Sequence, residues 1–258
     1  MKRIAATLLA VLLFGGLTAC KDSPPPPKKQ QRSLPATTTK TANALNSAGK
    51  AWPPAPQGEV HLAKNLLAAN YYVVLDGSGS MQDNQCSGRQ SKLETAKDAL
   101  KEFAANVPAD ANLGLLLFTN SKIYELVPLG TGNRQQFAET VQSASASGGT
   151  PLKDAISTGY AHLEQQAARQ LGYGRYVLVV VTDGQADGNQ DPAAKVNWML
   201  NNTPVELHTI GFCIGTNHSL NMPGRTVYKA ADNPAALRQG LADVLAEAET
   251  FDPAAFAP

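Results

Sequence analysis

The run Tyr176-Val177-Leu178-Val179-Val180-Val181 constrains this chain more than any other stretch beyond its first twenty residues. A half-wet strand alternates apolar and polar side chains, so an unbroken apolar run marks a strand covered on both faces. Such a strand needs helices on each side of its sheet. The rest of the sequence supplies the pattern. Tyr71 to Leu75 is a second buried strand and ends at Asp76-Gly77. Leu113 to Phe118, Val205 to Phe212 and Thr226 to Lys229 are further strands. Between them lie helical segments at Ser91 to Val107, Arg134 to Ser143, Pro151 to Gln170, Pro192 to Asn201 and Pro234 to Thr250. The first carries Leu93, Ala96, Leu100, Phe103 and Val107 at helical spacing, and the last carries Leu237, Leu241, Val244 and Leu245. Strands alternating with helices predict an α/β fold: a doubly wound, mainly parallel central sheet with helices on both faces. Lys122 to Leu129 follows a tight turn and contains Pro128, which predicts one antiparallel edge strand.

The beginning of the chain is a different kind of sequence. Lys2 and Arg3 precede the apolar stretch Ile4 to Phe14, and Leu17-Thr18-Ala19-Cys20 follows. A basic start, a short apolar core and small residues describe an export signal, too short to span a bilayer comfortably. The last four residues resemble a bacterial lipobox, which implies cleavage before Cys20 and lipidation of its thiol. Several acyl chains anchor stably where one does not. Residues 1–19 are therefore expected to be a lipoprotein signal peptide, 20–57 a lipidated, proline-rich tether, 58–252 one domain and 253–258 a tail. Pro24 to Pro27 favour an extended tether. The expected location is the bacterial cell envelope. In a Gram-negative cell that means the outer membrane, since Lys21 rather than aspartate follows the lipidated position. Cys86 and Cys213 remain, and in an oxidising compartment they are expected to form a disulfide. Closing so long a loop contributes roughly 4–5 kcal/mol on the chain-entropy account. The charge balance, 22 basic against 21 acidic side chains, leaves no footprint for nucleic acid.

In a doubly wound sheet the loops leaving the carboxyl ends of the strands gather on one edge, where ligands bind. Three such loops carry oxygen donors: Asp76-Gly77-Ser78-Gly79-Ser80, Gly148-Gly149-Thr150-Pro151-Leu152 and Thr182-Asp183-Gly184. Without histidine or cysteine the set favours hard cations such as Mg²⁺, Mn²⁺ or Ca²⁺ over zinc. Gly77, Gly79, Gly148 and Gly149 suit unusual backbone angles and close approach.

These motifs resemble the metal-ion-dependent adhesion site of von Willebrand factor type A domains, such as the inserted domains of integrins. Asp76, Ser78 and Ser80 match the Asp-x-Ser-x-Ser motif, Thr150 the second loop and Asp183 the third, over roughly residues 68–250. The resemblance implies that Ser78 and Ser80 are direct metal ligands, that Thr150 binds directly or through water, and that Asp76 and Asp183 act partly through water. It further implies a protein partner that donates an Asp or Glu carboxylate to the metal, and a last helix that shifts as an affinity switch. The chain is thus expected to be a binding module and not an enzyme.

Two alternatives stand beside that reading. A Mg²⁺-dependent hydrolase or phosphotransferase on a similar sheet would, in dehalogenase-type phosphatases, carry a second aspartate where this chain has Ser78. A structural lipoprotein would use an ion only to stiffen its loops. Four histidines (His61, His162, His208 and His218) show no ligand spacing and are read as ordinary surface or core residues. Asp187, Asn189 and Asp191 are read as a polar loop with Asp191 capping a helix, Trp52 as a linker residue and Trp198 as a helix-packing residue.

Overall fold

A computed structural model of the chain describes residues 51–56 and 58–246. The expected signal peptide, Cys20, most of the tether and the C-terminal tail lie outside the described residues. Six strands form one sheet in the order β3-β2-β1-β4-β5-β6. They are β1 (Asn70–Gly77), β2 (Asn112–Thr119), β3 (Lys122–Gly130), β4 (Tyr176–Thr182), β5 (Glu206–Phe212) and β6 (Val227–Ala231). All pairings are parallel except β2 with β3, which is antiparallel and irregular near Leu115. The helices are α1 (Lys92–Asn106), α2 (Arg134–Gln142), α3 (Leu152–Arg169), α4 (Ala193–Asn202) and α5 (Pro234–Ala246).

The apolar runs account for this arrangement. Successive side chains on a strand point to opposite faces. In β4, Val177, Val179 and Val181 enter one core, shared with Tyr71, Leu75, Leu100 and Phe103. Leu178 and Val180 enter the other, shared with Tyr72, Leu116, Ile156 and Leu163. Every residue of β4 is buried. Full burial of one such side chain is worth roughly 1.5–3 kcal/mol, so neither face of this strand could be left to solvent. Helices α1, α2 and α5 cover the first face, and α3 and α4 the second.

The strand order positions the site. The chain runs outward from β1 to β3, then crosses back to β4 and continues outward the other way. From β1 it leads to α1 on one face, and from β4 to α4 on the other. The two connections diverge at the carboxyl ends of two adjacent central strands and open a crevice there.

Trp52 departs from the sequence reading. Its indole N–H donates to the Tyr160 hydroxyl at 3.1 Å, and its ring meets Tyr176 edge-on with centroids 4.9 Å apart. A large aromatic gains more by covering this apolar end of the domain than by remaining in a solvated linker. Trp198 packs edge-on against Tyr160 but is 47% exposed.

Candidate functional site

Asp76 is the penultimate residue of β1 and is fully buried. Its Oδ1 accepts the Ser78 N–H at 2.7 Å, and its Oδ2 accepts the Thr182 hydroxyl at 2.6 Å. One carboxylate thus fastens the first loop to the end of β4. Burial, reinforced by the charge of Asp183 and opposed by hydrogen bonds from Ser78 and Thr182, pushes its pKa up to about 6. It is a carboxylate whose local donors do not fully offset the loss of water.

The hydroxyls converge beside it. Ser78 Oγ and Ser80 Oγ lie 3.0 Å apart, and Ser80 Oγ donates to Asp183 Oδ1 at 2.7 Å. Ser78 and Asp183 are buried, while Ser80 opens to solvent. A Cβ placed on Gly184 would lie 3.8 Å from Ser80 Oγ and 3.9 Å from Thr150 Oγ1. The Thr150 hydroxyl therefore borders the same spot from the second loop. All five residues expected from the sequence, Asp76, Ser78, Ser80, Thr150 and Asp183, meet in the crevice.

Backbone hydrogen bonds set the loop positions. Gly79 N–H donates to Gly148 O at 2.9 Å, and Ser147 N–H to Gly77 O at 2.8 Å. Of the four loop glycines expected to need special angles, only Gly148 has a left-handed backbone, with φ +77°. A Cβ there would also meet Ser121 N at 2.6 Å. Gly149 is needed for room, because a Cβ on it would collide with the Asp187 carboxylate.

Three residues that the sequence reading passed over complete the site. Lys92, at the start of α1, places Nζ 2.8 Å from Asp183 Oδ2. Burial works against its charge, but the bond and charge of Asp183 outweigh this and raise the Lys92 pKa. Asp187 Oδ2 accepts the Thr150 N–H at 2.9 Å. His218 accepts the Leu220 N–H at Nδ1, so Nε2 carries the proton that reaches Gly184 O at 3.0 Å. Burial lowers the His218 pKa against the pull of that carbonyl, and the ring stacks on Tyr228. It props the backbone just after Asp183. Asp191 accepts the Ala193 N–H at 3.0 Å and caps α4 as expected.

Cys86 and Cys213 are free thiols in the structure, held side by side next to the crevice. Cys213 Sγ–H donates to Gln85 O at 3.0 Å. Burial and the neighbouring Cys86 thiol push the Cys213 pKa up to about 12.

The donor chemistry fits a hard cation. Among the described residues no cluster of three or more His, Cys, Asp or Glu side chains is placed to hold a metal, so an ion in the crevice would depend on hydroxyl oxygens. Two carboxylates and three hydroxyls with no nitrogen or sulfur suit Mg²⁺, Mn²⁺ or Ca²⁺.

The sequence matches the von Willebrand factor type A domain over residues 70–239. The uncharacterized protein YwmD of Bacillus subtilis (strain 168) is 29% identical over 167 residues, covering 58% of this chain and 70% of YwmD. Among solved structures, BatB from Bacteroides thetaiotaomicron superposes with a TM-score of 0.54 at 18% identity, over 69% of this chain and 100% of the other. The pilus adhesin SpaC from Lactobacillus rhamnosus GG gives 0.55 at 14% identity, over 72% of this chain and 31% of the adhesin. Those two likenesses are likenesses of fold. With the family match spanning most of the chain and the six-stranded sheet in place, the chain belongs to the von Willebrand factor type A domain family.

Proposed function

We propose that the chain is a cation-dependent binding module that captures a protein partner, held at the cell envelope by a lipid on Cys20. Asp76, Ser78, Ser80, Thr150 and Asp183 would hold Mg²⁺, with Mn²⁺ or Ca²⁺ as substitutes. When bound, such an ion supplies an electron-poor corner for an acidic side chain of a partner, because neutral hydroxyls remove little of its charge.

The observation that carries the reading is the chain of oxygens from Ser78 through Ser80 to Asp183, linked at 3.0 and 2.7 Å. Ser80, the middle link of that chain, is exposed to solvent, so an incoming group can reach it. Asp76 and Thr182 lie behind and fix the first and third loops to adjacent strands. Family membership supports the reading, since these domains commonly mediate protein–protein interaction or adhesion and are mostly not enzymes. The pilus adhesin SpaC is one protein with this fold. Envelope anchoring draws on Lys2, Arg3, the apolar stretch and Cys20 alone.

The test is capture of envelope proteins by the full chain, with Mg²⁺ and then with EDTA, alongside Asp76→Ala. A partner retained only by the wild type with Mg²⁺ supports the module. Equal retention with EDTA and by Asp76→Ala contradicts it. Turnover of a phosphoester would favour the hydrolase alternative.

A further inference from the structure

We propose that Lys92 is a fixed counter-charge built into the cation site, setting how much negative charge an ion meets there. The assignment rests on the metal reading above. The Lys92 ammonium lies 2.8 Å from Asp183 Oδ2, with the two side chains 5% and 0% exposed. The other oxygen of the same carboxylate, Oδ1, accepts from Ser80 at 2.7 Å. Asp183 is therefore divided, one oxygen turned to the hydroxyl pair and the other neutralised from behind.

The ammonium is delivered by rigid structure. Ser91 caps α1 by accepting the Glu94 N–H at 3.1 Å. The Lys92 N–H donates to Asp83 O at 2.7 Å, which ties the helix start to the segment just beyond Ser80. These bonds fix the Lys92 backbone beside the crevice, and its side chain, 5% exposed, is held there by burial and by Asp183.

Charge then decides what the site can do. Among the expected ligands, Asp76 and Asp183 bring two negative charges, and Lys92 returns one positive charge; Asp187 is outside that set, its Oδ2 being turned to the Thr150 N–H. A divalent ion among two uncompensated carboxylates would be neutralised and would attract no anion. Beside Lys92 the same ion keeps net positive charge in a partly desolvated crevice, where attraction to a carboxylate is strengthened. Lys92 thus lowers affinity for the metal and raises the pull of the loaded site on an anionic ligand. A buried ion pair is by itself weak evidence of stabilisation, and its placement on a ligand oxygen is what points to this role.

The experiment is calorimetric titration of the full chain with MgCl₂ and with MnCl₂, comparing wild type, Lys92→Met and Lys92→Arg. The account expects Lys92→Met to bind Mg²⁺ about tenfold more tightly, and Lys92→Arg, which keeps the charge, to stay within about threefold of wild type. Melting in EDTA adds a second readout. Lys92→Met should melt below wild type, with Asp183 left uncompensated, and should gain more from Mg²⁺. If Lys92→Met does not fold, Lys92→Gln carries the same expectations. A folded charge-removing variant with unchanged or weaker Mg²⁺ affinity overturns the assignment. Absence of Mg²⁺ binding by wild type overturns the metal reading itself, and this inference with it.

Discussion

Thr150 and Asp187 hold each other twice: the Thr150 N–H donates to Asp187 Oδ2 at 2.9 Å, and the Asp187 N–H donates to Thr150 O at 3.1 Å. This two-way clamp joins the loop that opens α3 to the loop that follows β4. It fixes the height of the Thr150 hydroxyl beside Ser80. Removing the Asp187 carboxylate leaves the Thr150 N–H unpaired at a buried residue, at a cost of about 1–3 kcal/mol. Asp187→Ala should lower the melting temperature and weaken Mg²⁺ binding several-fold. Asp187→Asn, whose amide oxygen can still accept, should retain most of both. Equal losses in the two variants would argue against the clamp.

Gly149→Ala tests the same contact from the other side. The added methyl meets the Asp187 carboxylate, so the clamp must open or the loop must shift, and overpacking of this kind costs about 1–3 kcal/mol. The two changes should be non-additive. In the Asp187→Ala background the methyl has no carboxylate to strike, so Gly149→Ala should cost less there. Thermal melts of the four proteins of the double-mutant cycle decide it.

Asp76→Asn should separate metal binding from folding. An asparagine oxygen can still accept the Ser78 N–H. Its amide can donate to Thr182 Oγ1, whose hydroxyl has Gly184 O within 3.2 Å. The buried charge is gone and the hydrogen bonds survive. In EDTA the variant should be at least as stable as wild type, while Mg²⁺ should no longer stabilise it. A variant that unfolds in EDTA would show that the carboxylate is structural.

At the opposite end of the sheet, Arg175 grips Glu206 through Nε at 2.8 Å and Nη2 at 2.6 Å. Burial opposes ionisation of Glu206, but bonds from His208 and Arg175 outweigh it and lower its pKa to about 2. A carboxylate with a folded pKa below its unfolded value, about 4.3, stabilises above the unfolded value. That contribution is lost as pH falls toward the folded pKa. Because the side chain is 41% exposed, screening limits the effect to about 1 kcal/mol or less. Glu206→Gln should melt slightly below wild type at pH 7, with the gap closing near pH 2. A gap that widens on acidification would contradict the assignment.

Cys86 and Cys213 both adopt left-handed backbones, with φ 56° and 64°, and their thiols adjoin. A disulfide donor should convert them to a bridge that joins the segment after the first loop to the end of β5. Oxidised protein should then run faster on a denaturing gel without reductant, and neither thiol should react with a maleimide. Continued titration of both thiols after oxidation would rule out the bridge.

What could be read from the sequence, and what could not, follows from where each signal resides. Strands β1 and β4 were legible because unbroken apolar runs have few other uses. Asp76, Ser78 and Ser80 were legible because they are adjacent along the chain at the end of a strand. Lys92 was not, since its partner lies 91 residues away and a lysine in a first helical turn ordinarily faces water. Its one signal is register: Lys92 lies on the stripe of Ala96, Leu100 and Phe103, all buried in the core. A lysine on an apolar stripe implies a buried counter-ion. Asp187 and His218 gave no such signal, because their roles arise from loops meeting in space. Trp52 was misplaced because Pro53, Pro54 and Pro56 follow it, and local composition says nothing about a distant aromatic surface.

The most direct test is calorimetric titration of the wild-type chain and Ser78→Ala with MgCl₂. The account predicts one ion bound per wild-type chain and binding weakened at least tenfold in Ser78→Ala, while both proteins give the same circular dichroism spectrum. No saturable Mg²⁺ or Mn²⁺ binding by wild type, or equal binding by the two proteins, would contradict it.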